Sequence, residues 1–295
     1  MRNYFIDFLD RFSYPEESRP VLTDALDKIY DNENTSQEFQ ALLSIYDQDM
    51  NYNHGEMKLQ MHEIAQKAGI HEYTGNLVWL ICLSKRLKEY YTEAGLSEDI
   101  WFNSMCDLRY KLVECKEVYN IWGTFVPDWF GRFYKLDRFA FGKLQFEPIY
   151  LKTNYKKGDI VLDENSTVIN VHIPRTGTKL DRESMKASYA AAAEFYKEKF
   201  NDTSVIFACH SWLLFPKNKE LLSETSNLYA FISDYDVFES GEYEDYKEVW
   251  RLFDTNYDGN VEHLPQNTSF RRGYADWIRN NVKIGWGYGV YVYNK

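Results

Sequence analysis

The sequence predicts an α+β protein, in which a helical amino-terminal domain is followed by a mixed α/β domain. Up to about residue 116, apolar residues recur at helical spacing and no strong strand pattern interrupts them. After about residue 120, short apolar runs alternate with turn-rich segments, as in strands. The end of the chain, from Gly285 to Tyr293, alternates strictly and predicts a strand. We therefore place two domains at 1–120 and 121–295.

Local signals define the elements within each half. Two apolar stripes, Phe39 to Met50 and Met57 to Ala68, predict helices. Thr74 and Ser97 are predicted to cap the two helices that follow. In the second half we predict strands at 141–151, 167–173, 237–238 and 249–253, a turn-rich stretch at 153–165, and helices at 219–234 and 268–282.

The segment 167–215 is the most informative part of the chain. It reads as an apolar strand closed by Pro174, a helix that starts near Asp181, and a second apolar strand from Val205 to Leu214. Two continuous apolar strands joined by a helix predict a parallel crossover buried on both faces. The buried stripe of the helix is predicted to contain Met185, Tyr189, Ala192 and Tyr196.

Each of these strands carries a histidine near its carboxyl end, His172 in the first and His210 in the second. Ligands of open α/β sheets bind where parallel strands end, so the two side chains are expected to lie together. An imidazole with a pKa of about 6.5 can take a proton from an amine. The alternative is a structural pair that bridges the strands and holds Ser211 or a backbone carbonyl. The residues themselves leave both interpretations open.

Glu147 is a third candidate, because strand alternation puts it on one face with Gln145. The two side chains form either a polar wall of the cleft or an ordinary solvated strand face.

The turn between the first histidine strand and the helix is a candidate phosphate site. Backbone amides there, together with the helix dipole, favour phosphate oxygens. The alternative is a simple loop in which Thr178 or Asp181 caps the helix. The turn consists of Arg175, Thr176, Gly177, Thr178 and Lys179.

Composition argues against several functional classes. The net charge of −11 disfavours a general nucleic-acid or anionic-membrane surface. No apolar run is long enough to span a bilayer, and the first twenty residues are too charged for a signal peptide. The four cysteines show no CxxC pairing, which predicts reduced thiols and a cytoplasmic location.

No metal site is predicted. His62 to Gln66 begins like a zinc-protease helix, but Gln66 stands where the second histidine ligand would be. Asp254 to Gly259 begins like a calcium loop, but Pro265 stands where the bidentate carboxylate would be.

The chain resembles a known family through five short segments. It is similar to bacterial acyltransferase-like proteins that join a helical N-acyltransferase amino-terminal domain to a GNAT-like carboxyl-terminal domain. The segments that carry the resemblance are Gly142 to Glu147, Asn170 to Pro174, Cys209 to Leu214, Ser226 to Leu228 and Leu264 to Ser269.

This resemblance implies an acyl-CoA co-substrate and no metal. It places the pantetheine between two splayed parallel strands and the pyrophosphate on the loop after the first, from Ile173 through the turn that ends at Lys179. The usual loop has two glycines, whereas this one has only Gly177. The resemblance also suggests Tyr235, eight residues after Asn227, as the acid for the departing thiolate.

The function predicted from these features is transfer of an acyl group from acyl-CoA to the amine of a small molecule or peptide by direct attack on the thioester. His172 or Glu147 is the expected base, with His210 as a further catalytic candidate. The main alternative is a non-catalytic GNAT-like protein that binds a ligand or a partner. Hydrolysis is a third interpretation, disfavoured because no activated serine or cysteine is visible.

Overall fold

The computed structural model describes residues 1–200 and 204–294, and the chain divides into two compact units. One unit contains residues 1–139 together with 175–177, and we call it the helical unit. The other contains residues 140–174 and the chain from residue 178 onward, and we call it the sheet unit.

The helical unit contains seven α-helices, which we number in the order in which they occur along the chain. Side-chain oxygens of Asn32, Asn53 and Ser97 cap the third, fourth and sixth helices by accepting hydrogen bonds from backbone amides in the first turn. The helices are α1 Arg2–Arg11, α2 Ser18–Asp31, α3 Glu33–Gln48, α4 His54–Lys67, α5 Glu72–Glu93, α6 Glu98–Tyr119 and α7 Gly131–Tyr134.

The prediction that Ser97 caps a helix is confirmed, and the prediction for Thr74 is wrong. Helix α5 begins earlier, at Glu72, and His71 caps it through a ring nitrogen that accepts from the amide of Tyr73. Thr74 lies inside the first turn, where its hydroxyl donates to the carbonyl of Trp122 at 2.9 Å. A threonine inside the first turn resembles a cap in sequence, and only the path of the chain tells the two apart.

The segment 121–139 packs with the helices. The Tyr134 side chain is fully buried, and its hydroxyl donates to the carbonyl of Leu80 in α5. Tyr46 donates to the carbonyl of Tyr134 at 2.8 Å, and the amide of Thr124 donates to the carbonyl of Tyr73 at 2.9 Å. These contacts put the division between the units at Phe139, nineteen residues beyond the 120/121 boundary proposed from the sequence.

The sheet unit contains a six-stranded sheet with the order β1-β2-β5-β6-β8-β7, and a separate hairpin of β3 and β4. The strands are β1 Phe139–Phe141, β2 Leu144–Tyr150, β3 Tyr155–Lys157, β4 Ile160–Leu162, β5 Thr167–His172, β6 Val205–Ser211, β7 Asp236–Glu242 and β8 Gly285–Tyr293. The helices are α8 Arg182–Tyr196, α9 Asn227–Asp234, α10 Trp250–Phe253 and α11 Ser269–Arg279.

The predicted parallel crossover is confirmed. Strands β5 and β6 pair in parallel, and α8 connects them. The four residues predicted for the apolar stripe of α8 are all buried. The remaining neighbouring strands whose pairing is described, β2 with β5, β6 with β8 and β7 with β8, are antiparallel, so the sheet is mixed.

Five predictions in this unit need correction. The helix predicted at 219–234 begins only at Asn227, where Ser226 caps it, because the preceding apolar residues lie in a separate 3₁₀ turn and a loop. The second histidine strand ends at Ser211 and not at Leu214, since residues 212–214 form a 3₁₀ turn. Residues 249–253 form helical turns that end in α10, although their apolar run suggested a strand. The predicted strand 141–151 is interrupted at Gly142, whose φ of +60° makes a turn between β1 and β2. The stretch 153–165, predicted only as turns, contains the β3–β4 hairpin.

The two faces of the sheet are covered by different elements. On one face, Tyr189 of α8 packs against the rings of Phe146 and Phe207, with ring centroids 6.0 and 5.0 Å away. On the other face, Tyr155 and Leu162 of the β3–β4 hairpin belong to a buried cluster with residues of the central strands, namely Val168, Ala208, Tyr288 and Val290. Successive side chains of β2, β5, β6 and β8 therefore point to opposite faces of the sheet. We call the face that α8 covers the α8 face and the face that the β3–β4 hairpin covers the hairpin face.

The glycines of β8 let other backbone segments approach the strand closely. A Cβ on Gly287 would lie 2.2 Å from the carbonyl oxygen of Leu214, in the 3₁₀ turn Trp212–Leu214. A Cβ on Gly285 would lie 2.0 Å from the carbonyl oxygen of Gly241. The obstacles are backbone atoms, which cannot turn aside as a flexible side chain can.

We predict that Gly287→Ala destabilises the protein, because the added methyl group must displace the backbone around Leu214. Overpacking of this kind typically costs roughly 1–3 kcal/mol. The matched control is Gly55→Ala in α4, where the new Cβ would lie at an ordinary 3.6 Å from Asn53 Oδ1. Thermal denaturation should show a lower Tm for the first variant only, and equal Tm values would contradict the close approach at β8.

Candidate active site

His172 and His210 line one cavity of about 530 Å³ in the sheet unit, which confirms their predicted convergence. The register explains the proximity, because Asn170 is the parallel partner of Ala208 and each histidine follows two residues later on the same face. The cavity is lined by Ile149, Lys152, Thr153, Asn170, His172, His210, Glu239, Trp286 and Tyr288.

His172 is paired with Glu147 from the neighbouring strand. The two residues are diagonal neighbours, because Glu147 lies opposite Asn170 in the antiparallel β2–β5 ladder. His172 Nε2 lies 2.8 Å from Glu147 Oε1, and the Asn170 amide donates to the same oxygen at 3.1 Å. Glu147 is only 4% exposed, so it is not part of a solvated strand face. A buried carboxylate needs such partners, since an unpaired one is strongly destabilising.

The contact with Glu147 fixes the orientation of the His172 ring and determines which ring nitrogen carries the proton. A carboxylate only accepts hydrogen bonds, so Nε2 carries the proton that is donated to Glu147. In the neutral ring, Nδ1 is then the nitrogen that can accept a proton. A histidine oriented by a buried carboxylate can act as a general base for an amine or a hydroxyl group.

His210 lies in a different environment, against aromatic rings. Its ring centroid is 4.6 Å from that of Trp286 and 5.7 Å from that of Tyr288. Partial burial lowers the pKa of His210, the Lys152 ammonium lowers it further, and the Glu239 carboxylate acts in the opposite direction. His210 is therefore neutral at pH 7, and it is accessible from the cavity.

The parallel contact between β5 and β6 is short, which opens the sheet beside the histidines. The two strands are paired at Ile169 with Phe207 and at Asn170 with Ala208. Beyond these pairs, β5 continues to His172 against β2, whereas β6 continues to Ser211 against β8. Within the described residues, the end of β5 has no partner residue on β6. The two central strands therefore separate where the histidines lie.

The loop after β5 contains the predicted phosphate residues, and its helix end is already capped. Asp181 accepts from the Ser184 amide at 2.8 Å and from the Ser184 hydroxyl at 2.7 Å, so it is Asp181 that caps α8. These bonds and the Lys143 ammonium hold the pKa of Asp181 well below its usual range, so the carboxylate is ionised. A negative charge therefore occupies the start of α8.

The residues of this loop are divided between the two units, and several of them already have partners. Gly177 has a φ of +76°, and no atom stands within 4 Å of the Cβ that a substitution would add. Arg175 pairs with Glu117, and both belong to the helical unit together with Thr176. Lys143 Nζ donates to the carbonyl of Lys179. Ile173, Thr178 and Lys179 belong to the sheet unit.

Tyr235 is separated from the other three catalytic candidates. It follows α9, is 6% exposed, and its hydroxyl lies 2.6 Å from that of Tyr189 in α8. Its ring packs near Tyr291, which alternates with Tyr288 and therefore lies on the α8 face. Burial raises the pKa of Tyr235 well above its usual value. The structure brings Glu147, His172 and His210 together and leaves Tyr235 on the other face.

Sequence reasoning missed several residues of this cavity. Asn170 carried a usable signal, because asparagine is unfavourable inside an apolar strand. The alternation of β8 already placed Trp286 and Tyr288 on one face, but it could not identify the strand beside them. Lys152 and Glu239 come from a loop and an edge strand, and no local pattern relates them. Among residues 1–200 and 204–294, no cluster of three or more His, Cys, Asp or Glu side chains is placed to hold a metal ion.

Two family models match the chain. An N-acyltransferase N-terminal domain matches residues 4–136, and a GNAT-like C-terminal domain matches residues 139–291. The second model covers more than half of the chain. The chain belongs to the family with a GNAT-like C-terminal domain. The resemblance inferred from the sequence is thereby confirmed, as is the fold class of a helical region followed by a GNAT-like mixed sheet.

Solved structures share the fold of this GNAT-like protein. An acyltransferase in complex with decanoyl-CoA has a TM-score of 0.73 at 17% identity, over 97% of this chain and 86% of that one. An acyltransferase in complex with decanoyl-CoA and teicoplanin has a TM-score of 0.71 at 15% identity, with the same coverage. A comparison with functionally curated proteins found no match. No helix in the described part of the GNAT-like chain is both long and apolar enough to cross a membrane.

We predict that two substitutions move the pKa of His210 in opposite directions. Lys152→Gln removes a positive charge that disfavours the imidazolium, so the pKa should rise. Glu239→Gln removes a negative charge that favours it, so the pKa should fall. Titration of the His210 ring protons by NMR measures both shifts, and shifts of the same sign would rule out the placement of these charges around His210.

Proposed function

We propose that this protein transfers an acyl group from acyl-CoA to an amine by direct attack on the thioester. The observation that carries the proposal is the short parallel contact between β5 and β6, with the Glu147–His172 pair at its open end. Family membership and the acyl-CoA complexes of the structural neighbours support the same reaction class.

The opening between the strands suits an acyl-CoA. Pantetheine carries two amide groups, which hydrogen-bond readily to strand backbone that has no strand partner. In this arrangement the thioester lies beside the carboxyl end of β5, near His172. Backbone amides at His172 and Ile173 are the proposed donors to the thioester carbonyl oxygen, where negative charge develops during attack.

The proposed chemistry needs one base and balances without a metal. The lone pair of the neutral amine attacks the thioester carbon, forming the C–N bond, and His172 Nδ1 takes the proton that the nitrogen loses. The tetrahedral intermediate then collapses, the C–S bond breaks, and its electron pair leaves with sulfur. The protonated His172 returns its proton to the thiolate, which gives free CoA and the amide product.

Glu147 is a positioning residue in this scheme, because it acts through His172. Its carboxylate orients the ring and stabilises the imidazolium formed during attack. Tyr235 takes no part here, since its hydroxyl is held by Tyr189 on the other face of the sheet.

Release of free thiol from decanoyl-CoA, with and without added amines, tests the reaction. Thiol release that requires an amine, together with the amide product in mass spectrometry, supports acyl transfer. Release without an amine would instead indicate hydrolysis. Binding of acyl-CoA without release would favour the alternative of a ligand-binding protein that has kept the scaffold.

We predict that His172→Ala lowers kcat by roughly 100- to 10,000-fold, the usual loss of general-base help, with acyl-CoA affinity nearly unchanged. Glu147→Gln should lower kcat and alter its pH dependence, because an amide stabilises the imidazolium less than a carboxylate does. Steady-state rates, acyl-CoA affinity and Tm measured on each variant separate catalysis from folding.

The chain offers a matched control for this prediction. His263 and Asp258 form a second histidine–carboxylate pair, 2.7 Å apart, whose side chains are both more than half exposed. His263→Ala should leave kcat unchanged. A fully active His172→Ala enzyme, or one altered only in Tm, would end the assignment of His172 as base.

We also predict that CoA raises the Tm and that Gly177→Trp abolishes this effect. The indole would stand over the backbone amides of the loop and block the approach of phosphates. Gly177→Asn is the control, because asparagine tolerates a positive φ and adds little bulk. The loop assignment fails if the tryptophan variant is folded and responds to CoA as the wild type does.

A further inference from the structure

The cavity around the histidines contains one positive and one negative side chain that lack partners. Within the described residues, neither Lys152 nor Glu239 makes a hydrogen bond or an ion pair through its side chain. By contrast, Lys157 of the β3–β4 hairpin is paired, since its ammonium lies 3.1 Å from Asp236. Lys152 and Glu239 line this cavity together with His210, and both charges act electrostatically on its ring.

One wall of the same cavity is aromatic. The ring centroids of His210 and Trp286 are 4.6 Å apart with the ring planes tilted by 35°, and the Phe238 ring lies 5.0 Å from that of Tyr288. A wall of this kind takes a planar or apolar group by stacking and favours a cation above its face.

A buried polar atom completes the site. Tyr288 is only 4% exposed, and its hydroxyl has no hydrogen-bond partner of ordinary geometry among the described residues, although the backbone of Lys152 lies near it. Leaving a buried hydroxyl unpaired is unfavourable, so its position beside an open cavity points to a ligand that supplies the partner.

We propose that the acceptor is a zwitterionic amine, an α-amino acid or a short peptide, bound through both of its charges. Glu239 binds the ammonium group, Lys152 binds the carboxylate, Tyr288 donates to a carboxylate oxygen, and the Trp286 wall contacts the acceptor side chain. The bound ammonium releases one proton to bulk water, and the neutral amine that results is the form that attacks the thioester and passes its second proton to His172. The inference rests on the proposed acyl transfer and specifies its acceptor. The cavity volume of about 530 Å³ is sufficient for such a molecule.

Binding of amino acids to the intact protein tests the proposal without requiring turnover. The probes are the twenty amino acids and the corresponding α-amides, which keep the ammonium group and lose the carboxylate. At least one amino acid should bind about 10-fold more tightly than its amide, because a charge-assisted contact to Lys152 is lost in the amide. Isothermal calorimetry or thermal shift measures the affinities.

Two variants identify the groups. Lys152→Gln should bring the affinity for the amino acid down to that for its amide and leave the affinity for the amide unchanged. Glu239→Gln should weaken both by a similar factor, since both carry the ammonium. Lys156→Gln and Glu244→Gln are matched controls, because both residues are exposed and neither lines the cavity. These two controls should bind as the wild type does.

The outcomes separate this proposal from the acyl transfer itself. The proposal is overturned if no amino acid binds, if every amide binds as well as its amino acid, or if Lys152→Gln weakens both probes equally. Amine-dependent thiol release with other amines would then leave the acyl transfer standing. Conversely, amino acids that bind in the expected pattern without any thiol release would support the site and refute the transfer.

Discussion

The short parallel contact between β5 and β6 is the constraint on which the candidate site depends. A parallel pair that continued to the strand ends would place His172 and His210 side by side and saturate the backbone between them. Here the ladder stops at Asn170 and Ala208, and each strand remains fixed on its outer side by an antiparallel neighbour. The sheet therefore stays intact around an opening in its centre. A rigid opening is what a thioester needs if it is to be held in one orientation beside a fixed base.

The buried Glu147–His172 pair shows how the same sheet orients that base. Strand β2 is antiparallel to β5, so the side chains of Glu147, Asn170 and His172 emerge on one face within contact distance. Because Glu147 is 4% exposed, removing its partner would leave a buried charge uncompensated. The structural and catalytic roles of His172 are thus coupled through one hydrogen bond. Only measurements of both the reaction rate and the stability of a His172 variant can distinguish the two roles.

The sequence predicts the parts of this site that follow from local periodicity. Alternation along the strands and the strand–helix–strand order were sufficient to bring His172 and His210 together, and to put Glu147 on a face with Gln145. The burial of Glu147 could not be predicted, since it depends on the pairing of β2 with β5, from which it is separated in the chain by the β3–β4 hairpin. Lys152 and Glu239 line one cavity with His210 only after β7 has paired with β8 at the edge of the sheet. The division at Phe139 likewise depends on tertiary contacts of Tyr134.

The loop after β5 shows how a carboxylate at a helix start changes the binding of an anion there. Asp181 satisfies the first-turn amide of Ser184 that a phosphate would otherwise use, and Lys143 partly neutralises its charge. An incoming pyrophosphate must therefore rely on amides before Asp181 and on nearby cations. Arg182 is paired with Asp234, but an exposed ion pair contributes only about 0–1 kcal/mol, so exchanging the carboxylate for a phosphate costs little. Displacing Asp181 from the helix would cost more, because it would also remove the cap. The phosphate contacts of this family member should therefore lie earlier in the loop, around Gly177, where the backbone is open and the φ is positive.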